Sequence, residues 1–260
     1  MNGLNMWPGK AFLVLLPLLL IANPLRADMP SAIAKIKPSM VVIGTFKITS
    51  NPRFNLRGAG FVVGDGNLIV TNAHVLQTTA DEEEDADLVV QTRNRKNELH
   101  MRKVTVVEVD KIHDLALLRF EGEALPPLAL RETSVREGQS IAFTGFPIGG
   151  ALGFLPVTHR GMISSITPLV SSAPTDLQLN ERAIRSLRDG SFDIYQLDAT
   201  AYPGNSGGPV FDEQSGEILG VVSMAFVKRT KESALSEPSG IGYAVPIKYV
   251  LQLLQRKKVN

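Results

Sequence analysis

The chain has 260 residues, 44% of them hydrophobic, which is enough to bury a core as one compact unit or two small packed halves and too apolar for a disordered chain. Its 27 Lys and Arg against 26 Asp and Glu leave a formal charge of +1, so no global field points to nucleic acid or to an anionic membrane. With 0 Cys, structural disulfides, thiolate metal sites and a cysteine nucleophile are excluded together, and any nucleophile must be an oxygen or an amine.

Residues 1–27 read as an export signal. Lys10 precedes the apolar run Ala11 to Ala22, and Leu25-Arg26-Ala27 offers a small residue where a signal peptidase would cut, so the mature chain is expected to begin near Asp28. The rival reading is an uncleaved anchor, but the run is roughly a dozen residues against the roughly 20 that span a bilayer, and Pro17 interrupts it. Met29 to Ile36 follows as a short leading helix stopped by Pro38.

From Val41 onward, short runs of Val, Ile and Phe are broken by Gly, Pro, Asn and Asp about every ten residues, which is the spacing of an all-β protein. The clearest strands are Gly60 to Val63, Leu68 to Val70, Leu88 to Thr92, Val104 to Val109, Leu115 to Phe120, Ser140 to Phe143, Ile194 to Leu197, Ile218 to Val222 and Tyr243 to Val245. Without alternating helices they disfavour a doubly wound sheet. Asp81 to Asp87, acidic at every position but Ala86, reads as a solvated loop, with a cation site as the alternative. Glu121 to Pro127 is the expected seam between two β halves, and residues 228 to 240 have the composition of a loop. A middle helix is expected from the N-cap Asp176 through Ala183, Ile184 and Leu187 to Gly190. A closing helix starts after Pro246, with Ile247, Val250, Leu251 and Leu254 on one face.

Gly204-Asn205-Ser206-Gly207-Gly208-Pro209 sets one serine among glycines that permit unusual backbone angles and close approach of a substrate. The alternative reading of the segment alone is a Gly-rich hairpin turn. Acyl transfer turns the attacked carbonyl into an oxyanion, which backbone N–H groups aimed at one point stabilise, and Gly204 and Ser206 would supply them. A serine hydroxyl needs a base, and histidine has a suitable unperturbed pKa of about 6.5. Of the four histidines, His100 and His159 read as surface or structural residues, and His113, adjacent to Asp114, would face the opposite way from it on a strand. His74 stands in Thr71-Asn72-Ala73-His74-Val75, where the chain leaves the strand Leu68 to Val70 and can present a side chain at its rim. Asp114 leads into the apolar strand Leu115 to Phe120, so its carboxylate should be partly buried and in need of a donor, which the His74 imidazole could be.

These three segments, in the order His, Asp, Ser, resemble the trypsin-type serine proteases and specifically the bacterial HtrA/Deg branch, over nearly the whole mature chain. Lys37-Pro38-Ser39-Met40-Val41, Gly58-Ala59-Gly60-Phe61, Gly145-Phe146-Pro147, Gly161-Met162-Ile163-Ser164 and Gly240-Ile241-Gly242-Tyr243-Ala244-Val245-Pro246 resemble that branch too. The resemblance implies Ser206 as nucleophile, His74 as general base and later acid, Asp114 as its orienter, and an oxyanion hole at Gly204, Asn205 and Ser206. It implies two packed six-stranded antiparallel β-barrels with a C-terminal helix, the halves falling at 28–125 and 126–260 with the triad between them. The implied activity is a serine endopeptidase acting on unfolded or damaged proteins of the cell envelope, periplasmic after export. No cofactor, metal, nucleic acid or membrane is expected as partner, and trimers follow by analogy alone.

Two departures stand out. HtrA proteins usually carry PDZ domains after the protease, whereas here only the protease domain is expected, and Thr167 to Phe192 looks longer than usual where such proteases keep a regulatory loop. In trypsin-like proteins selecting Arg or Lys, an acidic residue lies six places before the nucleophile. That place here is Thr200, followed by Ala201, and with the segment Val221 to Ala225, including Ser223 and Ala225, as the other wall, an apolar pocket is expected. Ser206→Ala should remove only a small exposed hydroxyl. The alternative function is a catalytically silent, protease-like binding or scaffold protein. An α/β-hydrolase is disfavoured because it needs Gly-x-Ser-x-Gly and the order Ser, Asp, His.

Overall fold

The computed structural model describes residues 28–77, 86–94, 98–147, 153–169, 192–224 and 240–259. The expected export signal, most of the acidic run, the expected middle helix, Ala225 and nearly all of the expected loop at 228–240 lie outside the described residues.

The first helix, α1 (Met29–Ile36), is capped by the Asp28 carboxylate, which accepts the Ser31 N–H at 3.0 Å. Six strands follow: β1 (Met40–Phe46), β2 (Phe54–Val63), β3 (Leu68–Thr71), β4 (Asp87–Arg93), β5 (Leu99–Asp110) and β6 (Leu115–Phe120). They close into an antiparallel barrel in the order β1-β2-β3-β6-β5-β4. The second six, β7 (Ser140–Gly145), β8 (Val157–Leu169), β9 (Phe192–Asp198), β10 (Pro209–Asp212), β11 (Ile218–Val222) and β12 (Ile241–Pro246), close in the order β10-β11-β12-β9-β8-β7. The chain then enters α2 (Ile247–Val259), directly after Pro246.

Alternation along each strand decides which core a side chain joins. In β1, Val41 and Ile43 point into the first barrel with Val62, Ile69, Val90 and Phe120. Met40 and Val42 point the other way, into a shared core with Phe61, Leu115, Leu117, Val221, Val245 and Leu253. The second barrel is filled by Ile141, Phe143, Ile163, Leu197, Val210, Leu219 and Val222. Strands covered on both faces carry continuous apolar runs, which is why Val41 to Ile43 and Leu115 to Leu118 lack a polar face. One-residue register shifts at Ile43/Gly44, Val106/Glu108, Ile163/Ser165 and Val210/Phe211 supply the extra bend that closure needs. Helix α2 buries Ile247, Tyr249, Val250 and Leu253 and packs on β11, β12 and β5, so it touches both barrels.

The two six-stranded barrels and the C-terminal helix are as expected; the nine strands that the apolar runs marked most clearly have bounds mostly shorter than observed, and β1, β8 and β10 complete the twelve.

Candidate active site

Strand β3 ends at Thr71, and Asn72 leads into a short 3-10 turn, Ala73–Leu76, that carries His74 off the sheet. Its main chain and its ring are held by one residue: Asp114 Oδ1 accepts the His74 N–H at 2.9 Å, and Asp114 Oδ2 lies 2.7 Å from His74 Nδ1. An ionised carboxylate can only accept, so Nδ1 carries the proton and the Nε2 lone pair of the neutral ring is left free to act as a base.

Asp114 leads into β6, as its sequence position suggested, and is the last residue of the turn before that strand, with φ of 54°. Aspartate is among the few residues with side chains that visit this left-handed region. Its carbonyl accepts the Ala73 N–H at 3.1 Å and the Asn72 Nδ2–H at 2.9 Å, and the Ser223 hydroxyl donates to Oδ2 at 2.7 Å. Asp114 is buried, and both of its carboxylate oxygens are supplied with donors.

Ser206 lies in the loop before β10, where glycines are sterically required. Gly204 and Gly207 have φ of 96° and 87°. A Cβ on Gly204 would strike the Phe146 carbonyl, and one on Gly207 would strike the Ala59 carbonyl and Thr71 Oγ1. The Ser206 carbonyl accepts the Ala59 N–H at 2.7 Å, and a Cβ on Gly58 would lie 2.8 Å from both that carbonyl and Val75 Cγ2. Gly58-Ala59 of the first barrel is thus pressed against the serine loop of the second. Ser206 Oγ accepts the Met224 N–H at 3.3 Å; among the described residues it makes no hydrogen bond to His74. The consecutive residues Ser223 and Met224 reach Asp114 and Ser206 respectively, which brings all three positions to one strand end. Ser206 is only 4% exposed, so its side chain is recessed rather than the exposed hydroxyl expected.

Among the described residues, the N–H groups of Gly204 and Ser206 engage no protein acceptor, whereas the Asn205 N–H bonds to the Tyr202 carbonyl at 3.0 Å. The Asn205 side chain is fully buried against Gly145, so this residue flanks the loop from within. Ala201 is buried, and the Ser223 hydroxyl, expected on a substrate wall, is spent on Asp114. The other histidines lie elsewhere. His100 is exposed beside Asn94 and Glu98; His113 bonds to Asp110; His159 stacks on Phe143, its pKa lowered by burial. No group of three or more metal-ligating side chains occurs among the described residues.

The sequence reading missed Ser223 as a partner of Asp114 and Gly58-Ala59 as the clamp on the serine loop. A serine ending the buried run Ile218 to Val222 was the available signal, since a buried hydroxyl needs a partner.

A histidine backed by a buried carboxylate, and a serine held among left-handed glycines where two closed barrels meet, mark the trypsin-like class. Residues 58–221 match the trypsin-like peptidase domain, and the chain belongs to that family. It is 32% identical over 200 residues to "Serine protease HTRA2, mitochondrial" of Drosophila willistoni, covering 76% of this chain and 38% of that protein. A "Probable periplasmic serine endoprotease DegP-like" of Halomonas elongata is 28% identical over 191 residues, covering 73% of this chain and 32% of its own length. The chain therefore spans less than two thirds of these curated relatives. The crystal structure of Deg5 superposes with a TM-score of 0.61 at 26% identity, covering 86% of this chain and 90% of that one.

Proposed function

We propose that the chain is a serine endopeptidase using Ser206, His74 and Asp114 as a triad. Nε2 of His74 takes the Ser206 proton as Oγ attacks the peptide carbonyl. Asp114 holds the ring in the required tautomer and stabilises the imidazolium that forms. The oxyanion is received by the N–H groups of Gly204 and Ser206. His74 then protonates the leaving amine, and water, activated by the same ring, hydrolyses the acyl-enzyme. The observation that carries the reading is the 2.7 Å His74 Nδ1 to Asp114 Oδ2 bond, which leaves Nε2 as the accepting nitrogen of the ring. The serine–histidine bond forms on substrate binding, as catalytic hydrogen bonds commonly tighten only then.

The substrates proposed are unfolded or damaged proteins of the cell envelope, reached after export with removal of residues 1–27, by trimers on analogy with HtrA-type relatives. The halves are read as 28–125 and 126–260. With Thr200 in place of an acidic residue and Ala201 beside it, the pocket is read as favouring a medium or large apolar side chain; a peptide-library digest dominated by cleavage after Arg or Lys would remove that preference. The purified mature chain should degrade casein, Ser206→Ala should not, and a fluorophosphonate should label Ser206 in the wild type but not in His74→Ala. A folded wild type that neither labels nor cleaves would support the silent binding protein instead.

A further inference from the structure

The turn that carries Asp114 is closed by a second acid. Asp110, the last residue of β5 and 5% exposed, accepts the N–H groups of Ile112 and His113 on Oδ1, each at 3.1 Å. Its Oδ2 lies 2.8 Å from His113 Nδ1 and accepts from the Arg256 guanidinium at 2.5 Å. Burial pushes the Asp110 carboxyl up, but the hydrogen bonds from His113 and then Arg256 outweigh it and hold it well below the usual carboxylate range, so it stays an acceptor.

The His113 ring stacks on Tyr249 at 4.1 Å between centroids and meets Phe192 edge-on at 4.7 Å. Tyr249 and Arg256 are two turns apart and share one face of α2. That helix is fastened to the second barrel, since Lys248 pairs with Asp193 at 3.0 Å and the Asp193 N–H donates to the Tyr249 hydroxyl at 3.2 Å. The turn from Asp110 to Asp114 therefore belongs to the first barrel while its outer anchors belong to the second. Asp114 itself sits at φ of 54°, a conformation that persists only where surrounding contacts over-determine it.

We propose that Asp110, His113 and Arg256 form a positioning cluster that ties the Asp114 turn to the C-terminal helix and so fixes the carboxylate behind His74. None of the three touches substrate; they act through Asp114. The inference rests on the proposed triad. The groups facing His113 are Asp110 from its own turn, Tyr249 from α2 and Phe192 from β9; Arg256 of α2 meets the same Asp110 oxygen, and the Lys248–Asp193 pair lies beside Tyr249.

The test uses the mature chain with Arg256→Gln, Arg256→Lys and His113→Phe. Arg256 is half-exposed and phenylalanine keeps the stacked ring, so both removals of a bond to Asp110 should leave folding intact. Peptide turnover across pH, fluorophosphonate labelling rate and thermal melting are measured together. In Arg256→Gln and His113→Phe, kcat should fall about tenfold with KM within about twofold, because small misplacements of catalytic groups cost rate. The acid limb of the kcat/KM profile should move to lower pH, since a displaced carboxylate favours the protonated ring less. Arg256→Lys should recover most of the rate. Folded variants with wild-type kcat and an unmoved profile, or losses that merely track the folded fraction, would overturn the cluster's role. A wild type that neither labels nor turns over substrate refutes the protease reading and this inference with it.

Discussion

Replacing Asp114 by asparagine tests the geometry at its tightest point, because the two side chains have nearly the same shape. Three donors converge on the carboxylate: the His74 N–H on Oδ1, and His74 Nδ1–H with the Ser223 hydroxyl on Oδ2. An asparagine amide offers one accepting atom. If its oxygen keeps the Oδ1 place, its NH2 faces Nδ1 and drives the imidazole proton to Nε2, where the ring can no longer accept from serine. If the amide flips, the His74 N–H faces an NH2 and the turn loses a bond it needs. The first orientation satisfies all three partners once the imidazole proton has moved, so it is the favoured one; the base is then lost, and kcat should drop about ten-thousand-fold, the size of loss that the same swap causes in a trypsin-like protease, which is about 5 kcal/mol of transition-state stabilisation. The assay is turnover of a fluorogenic peptide by wild type and variant, alongside melting to verify that the variant is folded. A folded Asp114→Asn enzyme within tenfold of wild type would refute the assignment of Nδ1 as donor and Nε2 as base.

Ser223→Ala should cost about 1.5–3 kcal/mol in chemical denaturation, the range for a bond to a charged group, and should slow turnover; unchanged stability and rate would show that this buried hydroxyl contributes nothing. Gly207→Ala should abolish activity and destabilise the fold, combining about 1–2 kcal/mol for the left-handed backbone with a collision against Ala59. Gly138→Ala, also at positive φ but with open space around it, should cost less, and denaturation of both variants gives the comparison. Asp110 contributes to acid stability with a definite sign. Its folded carboxyl is held below the ordinary value of about 3.9, so its contribution is present above that pH and is lost as pH falls below it. The stability gap between wild type and Asp110→Asn should therefore narrow from pH 5 to pH 2, and a constant gap would contradict this.

Much of the architecture was legible because strands covered on both faces write themselves as apolar runs. Leu115 to Phe120 and Ile218 to Val222 were found with their observed ends. Strand β8 escaped notice because most of it is half-exposed and it contains Gly161 and Pro168, so neither alternation nor a continuous run marks it. Gly161 is there because a Cβ would press on the Asp198 carbonyl and on Ala199, a constraint set by a strand far along the chain. The serine loop was legible for a similar reason in reverse, since Gly204 and Gly207 are dictated locally by positive φ. The left-handed turn at Asp114 was not, because aspartate enters strands and turns alike and only the donors from Asn72 and Ala73 select the turn. Ser223 was placed on a substrate wall because its partner lies 109 residues away, a separation no local pattern encodes.

The bond from Ala59 to the Ser206 carbonyl means that the proposed nucleophile's own main chain is one of the stitches joining the two barrels. Prying the barrels apart therefore removes a support of the serine loop at the same stroke. On the proposed triad, a chain damaged enough to gape along this join would fall silent before it could cut indiscriminately.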